Sequence, residues 1–207
     1  MTNDKKIKKI YDFLRVSEQL KKTKRWKDTP TMAFKETSAD HSWHLAILLL
    51  VLSSEFDYKV DILKALKIAL VHDLVEAIAD DTDASLIYLG KKTKEEKFNE
   101  EFAAIKQIKE MLPDKSGREL HDLWVEYEEA KTPESKLVKA LDKIEGINHV
   151  LCETYRCFDI PELIAPYPNK AVSKFKKLKP ILSELHERLK PEFAKKGWEW
   201  KKEYEID

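Results

Sequence analysis

His72 and Asp73 place an adjacent imidazole and carboxylate inside an otherwise apolar run, with Glu76, Asp80 and Asp81 four, eight and nine residues beyond the histidine. Polar groups in a run built for burial need a hydrogen bond, an ion pair or a metal. Two further candidates stand at a distance: His41, which opens the helical run to Leu52, and Asp142, set within Leu137 to Ile144. Imidazole and carboxylate suit a divalent ion of the manganese, cobalt, iron or zinc range, and the lack of thiolates in the set argues against a Cys-rich structural zinc site. His41, His72, Asp73 and Asp142 would supply four protein ligands and leave positions open for water or phosphate. The structural alternative is two core histidines and two carboxylates in ion pairs, and spacing alone does not separate the two.

Glu76 lies one helical turn after His72 and is expected on the same face. There it could orient or deprotonate a water at the metal, or simply pair with a lysine. Asp81 could accept from a sugar hydroxyl or a second water, and either Asp80 or Asp81 could instead cap the following loop. Arg25 and Trp26 form another pair with chemistry in it, since a guanidinium clamps phosphate bidentately and an indole can wall a sugar or base. Packing of Trp26 and plain exposure of Arg25 are the alternatives. His44 reads as a satisfied core histidine, His121, His149 and His186 as ordinary helix residues, and Glu145 as a support for Asp142 through Lys143 or water.

The elements that must carry these groups read as helices throughout. Only 4 Gly occur in 207 residues, and the 8 Pro sit mainly at joints. Ile7, Ile10, Tyr11 and Leu14 mark an amphipathic first helix ending near Leu20, followed by a basic connector from Lys21 to Pro30. Ser38 or Asp40 is expected to cap a central helix reaching about Phe56, and Asp61 precedes a second apolar helix that carries His72, Asp73 and Glu76. After a break at Asp80 to Leu89, helices are expected over Thr93 to Met111, Glu119 to Ala130, from Pro133 through Leu151, and near Val172 to Lys190, with Pro161 to Pro168 as a loop. Length and this pattern predict one all-α domain over residues 1–207, its motif-bearing core at about 25–150 and a helical extension after it.

Lys plus Arg equals Asp plus Glu at 38 each, so no general electrostatic pull toward a nucleic acid polymer exists, although a local basic pocket for a small phosphate is compatible. The most apolar stretch, Leu45 to Leu52, is far shorter than a membrane span. Cys152 and Cys157 are the only cysteines, spaced unlike a redox or zinc motif, and are expected to be reduced in a soluble, cytoplasmic protein.

Arg25-Trp26, Ser38-Ala39-Asp40-His41, His72-Asp73-Leu74-Val75-Glu76 with Asp81, and Asp142-Lys143-Ile144-Glu145 occur in that order. The ordered set resembles the HD-domain metal-dependent phosphohydrolases, and more narrowly the 5'-deoxynucleotidase branch of the YfbR-like proteins and HD domain-containing protein 2. The resemblance implies an all-helical HD-domain bundle, one divalent ion on His41, His72, Asp73 and Asp142, and a homodimer. It implies that Glu76 positions or activates the attacking water, that Arg25 contacts the 5'-phosphate, that Trp26 lies by the sugar and rejects a 2'-hydroxyl, and that Asp81 acts near the sugar or phosphate. The reaction implied is hydrolysis of a deoxyribonucleoside 5'-monophosphate to deoxyribonucleoside and phosphate. A cyclic nucleotide or guanosine alarmone would use the same metal set, and a non-catalytic nucleotide-binding scaffold is the remaining alternative. One departure stands out: the family usually has Gly directly before the residue matching Asp81, and this chain has Asp80.

Overall fold

The computed structural model describes residues 1–29 and 31–206, the side chain of Cys157 excepted. The end of the basic connector at Pro30 and the state of the Cys157 thiol thus lie outside the described residues; Cys152 is a free, exposed thiol. The chain is an all-α bundle. Its helices are α1 (Asn3–Ser17), α2 (Ser38–Glu55), α3 (Ile62–Val71), α4 (Glu76–Ala79), α5 (Ala84–Tyr88), α6 (Lys94–Met111), α7 (Asp114–Glu129), α8 (Pro133–Cys152), α9 (Pro161–Ile164), α10 (Asn169–Lys174) and α11 (Lys179–Lys196). Among the described residues the β features amount to one isolated bridge, between Lys24 and Thr37. Among them, too, no helix is long and apolar enough to cross a membrane.

α8 is the axis of the core. Pro133 starts it at a position where a missing N–H costs nothing, Thr132 caps it by accepting from the Ser135 N–H, and Leu137, Val138, Ala140 and Leu141 are fully buried. Around α8 pack α2, α3, α7, α10 and α11. Burying each leucine of this layer contributes roughly 1.5–3 kcal/mol against conformational entropy. α6 and α7 meet at Gly117, where a Cβ would stand 2.3 Å from the Lys109 carbonyl oxygen, so only a hydrogen fits.

Several boundaries differ from the sequence reading. α2 is capped by Thr37, not by Ser38 or Asp40; Asp40 instead closes the capping box from inside the helix. Pro113 stops α6 but also opens α7, which begins five residues before Glu119, because proline's fixed φ suits a helix entry. The expected Pro161 to Pro168 loop contains α9, and the helix expected near Val172 is divided into α10, a 3-10 turn at Lys176–Leu178 and α11. The aromatic end is packing: Trp200 lies 5.1 Å from the Phe193 ring and 5.4 Å from Tyr204. α1 forms as expected, yet its apolar stripe is not buried: Ile7, Ile10, Tyr11 and Leu14 are 42–66% exposed.

Candidate metal centre and active-site cavity

α3 ends at Val71, and His72 and Asp73 stand in the tight turn that follows rather than in mid-helix. His72 still closes an α-helical bond to the Ile68 carbonyl, but Leu74 and Glu76 bond three residues back, to Val71 and Asp73. The change from four-residue to three-residue bonding re-aims the chain, so Glu76 opens a separate short helix, α4. No Gly or Pro announces this break. The expectation of one continuous helix with Glu76 on the face of His72 is corrected accordingly.

His41 occupies the first turn of α2, held there by the Thr37 and Asp40 capping box, and Asp142 projects from the middle of α8. Ligand atoms of His41, His72 and Asp73 all lie within 4.8 Å of one another. Asp142 Oδ1 is 3.2 Å from His41 Nε2, and Asp73 Oδ1 is 3.2 Å from His72 Nε2. The two Nε2 atoms face each other at 3.3 Å. Both histidines use their other nitrogen elsewhere: His72 Nδ1 donates to the Ala69 carbonyl at 2.8 Å, and His41 Nδ1 donates to the Glu145 carboxylate. Donor atoms of His41, His72 and Asp73 therefore gather at one buried point, with Asp142 against His41, an arrangement that repels itself unless positive charge lies among them. That donor set fits one divalent ion with imidazole and carboxylate ligands.

Titration directions describe the same demand for a cation. Burial and Arg25 act to lower the His41 pKa, but hydrogen bonds to Asp142 and Glu145 win and raise it to about 10. Burial also opposes ionisation of Asp73 and Asp142. His72 and Arg25 nevertheless hold Asp73, and Lys143 and His41 hold Asp142, far below the usual carboxylate range.

Three supporting residues escaped the sequence reading. Tyr127 donates its hydroxyl to Asp142, whose Oδ2 also takes Lys143 Nζ at 2.8 Å. Glu36 is buried and touches Arg25 Nε at 3.2 Å, with His41 and His149 within 4 Å. His149 is not an ordinary helix residue, since it stacks on Trp26 at 6.4 Å and 25°. Glu145 holds His41 and, at 2.7 Å, the half-exposed His44; it does not support Asp142 as expected, and His44 is no core residue. A glutamate one turn from a candidate ligand was the sole signal for Glu145. Nothing in the order of residues pointed to Glu36 or Tyr127.

Arg25 and Trp26 reach the centre through a pinned loop. Thr23 accepts from the Ser38 N–H and Glu36 from the Arg25 N–H, each at 3.0 Å, which ties the loop to the start of α2. Arg25 Nη1 then donates to Asp73 Oδ2 at 2.8 Å. Trp26 takes a left-handed φ of 59°. Glu76 is buried, accepts from Ser38 Oγ at 2.5 Å, and is pushed well above its ordinary pKa by burial and by Asp73 and Asp81. Burial is the largest of these causes, and the two carboxylates add to it. Burial, against Arg25, likewise raises Asp81. Arg25, Trp26, His72, Asp73, Glu76, Asp81 and Asp142 all line one cavity of about 570 Å³; His41 is enclosed behind it.

A family model for the HD domain matches residues 17–160. The chain belongs to the HD-domain metal-dependent phosphohydrolases. Among relatives, it is 32% identical over 170 residues to 5'-deoxynucleotidase HDDC2 of Xenopus laevis, covering 82% of this chain and 81% of that protein. It is 34% identical to 5'-deoxynucleotidase HDDC2 of Homo sapiens, covering 67% of this chain and 65% of that one. In fold it is similar to a predicted metal-dependent phosphohydrolase from Magnetospirillum magnetotacticum, with TM-score 0.73, 22% identity, and coverage of 100% of this chain and 99% of the other.

Proposed function

We propose that this HD domain hydrolyses deoxyribonucleoside 5'-monophosphates to deoxyribonucleosides and phosphate, with one divalent ion held by His41, His72, Asp73 and Asp142. The observation that carries the reading is that His72, Asp73 and Asp142 line, beside Arg25, a cavity walled by Trp26, with His41 directly behind them. The similarity to HDDC2 proteins named as 5'-deoxynucleotidases supports the choice of substrate. A bound manganese, cobalt, iron or zinc ion would supply Lewis-acid polarisation of the phosphoryl group and a lowered pKa for water.

The chain's own residues do the rest. Arg25 turns from Asp73 to the phosphoryl oxygens and offsets their charge. Glu76, anchored by Ser38, would in its ionised form take the proton of the attacking water as oxygen bonds to phosphorus and pass that proton to the sugar 5'-oxygen, which leaves with the bonding pair. Asp81 accepts from the sugar. Trp26, fixed between Glu36 and His149, leaves a 2'-hydroxyl without space or partner, which favours deoxyribose. The single domain spanning 1–207, the cytoplasmic location and the homodimer belong to the same reading.

Protein supplied with manganese or cobalt is expected to release phosphate from deoxyribonucleoside monophosphates faster than from ribonucleoside ones, and Asp73→Asn is expected to lose both metal and activity. Turnover of only cyclic or pyrophosphate nucleotides in that screen would reject the substrate assignment.

A further inference from the structure

The cavity carries two different chemistries. Arg25, Asp73, Glu76 and Asp81 supply the ionic part. α5 contributes Ala84, Ile87 and Tyr88, spaced as one helix face, and α6 contributes Phe98 between Lys94, Lys97 and Glu101, again one face. Tyr88 is 48% exposed and Phe98 40% exposed, although both line a concave surface.

Phe98 is held firmly. Phe98 stacks on Phe102 at 5.6 Å and 11° and on the buried Trp124 at 6.0 Å and 28°, so it is backed by other rings and not free to swing. α5 is only one turn long, but Asp83 caps it by accepting from the Ser85 N–H at 2.9 Å, and Asp83 is itself buried. Trp26, the other large ring at the cavity, is already engaged by Glu36 and His149.

We propose that Tyr88 and Phe98, with Ile87, form the nucleobase subsite of this cavity. The inference rests on the nucleotidase reading above. A deoxynucleotide has one anionic end and one flat aromatic end, and the cavity presents a matching pair of surfaces. Base stacking on aromatic side chains needs only a π-face and tolerates every base, so the subsite favours purines through area and does not select one base by hydrogen-bond pattern.

The test compares each deoxynucleoside monophosphate with 2-deoxyribose 5-phosphate, which keeps the phosphate and sugar but lacks the base. Manganese-loaded full-length protein is expected to show a kcat/KM about tenfold higher for the nucleotide than for the abasic ester. Tyr88→Ser with Phe98→Leu is expected to raise KM for the nucleotide by about that factor, to leave kcat in place, and to leave the abasic ester unaffected. After removal of metal by chelation, fluorescence titration with 2-aminopurine deoxyribonucleoside 5'-monophosphate is expected to show the same loss of affinity in the double variant. If nucleotide and abasic ester fall in parallel, or the preference survives the double substitution, the subsite is wrong while the nucleotidase reading stands. If the unsubstituted protein cleaves no deoxynucleotide, both are wrong.

Discussion

Asp80 takes φ 64° and ψ 158°, a backbone region that glycine enters readily and other residues almost never do. The strain sits directly before Asp81, and the side chain partly compensates: Oδ1 accepts from the Asp81 N–H at 3.0 Å and Oδ2 pairs with Lys27 at 2.6 Å. The Lys27 pair is open to solvent and contributes little. Asp80→Gly is therefore expected to stabilise the fold by about 1–2 kcal/mol, read as a rise in thermal midpoint. Behind the proposed metal, Glu145 fixes His41 through Nδ1, so Glu145→Gln should weaken manganese binding roughly 10–100-fold in a direct titration. Glu76→Ala should behave in the opposite manner, sparing metal affinity and lowering turnover. An unchanged rate in Glu76→Ala would remove its proposed role.

At the scale of elements, the start of α2 determines where His41 stands. Thr37 accepts from the Asp40 N–H at 3.1 Å, and Asp40 accepts from the Thr37 N–H at 2.8 Å. Thr37→Ala should cost about 1 kcal/mol in denaturant unfolding. Burial works to raise the Asp40 pKa, but the two Thr37 bonds prevail and leave it below the usual carboxylate range. A depressed folded pKa adds stability above the unfolded value and loses it as pH falls through the folded one. Asp40→Asn should accordingly flatten the stability profile below about pH 4 and leave its neutral-pH shape alone. The α6–α7 contact is less forgiving. Gly117→Ala drives a methyl into the Lys109 carbonyl and is expected to destabilise by about 1–3 kcal/mol.

For the whole molecule, the unexplained feature is apolar surface. Trp43, Ile47 and Leu50 recur at four and three residues along the outer side of α2 and are 63%, 39% and 46% exposed. Together with the bare stripe of α1 they are the kind of surface that marks a protein contact. This supports the proposed homodimer. Sedimentation should give twice the chain mass, and Trp43→Glu with Leu50→Lys should give monomers that keep their helical content. A monomer in the unsubstituted protein would reject it.

By itself the amino-acid order determined the all-helical architecture, and it marked His41, His72, Asp73 and Asp142 as polar groups too costly to bury without a partner; the structure does bury all four. The starts at Asp61 and Pro133 were legible too, since capping and proline chemistry are local. Only the tertiary structure decided the rest. Which histidine nitrogen faces the centre depends on Glu145, 104 residues from His41, and the shape of the Asp142 carboxylate site depends on Tyr127 in another helix. The break after Val71 carries no local signal, because its backbone bonds are set by the packing around His72 and Asp73. Burial is likewise a property of neighbours: one periodic stripe is hidden in α8, while that of α1 stays in solvent.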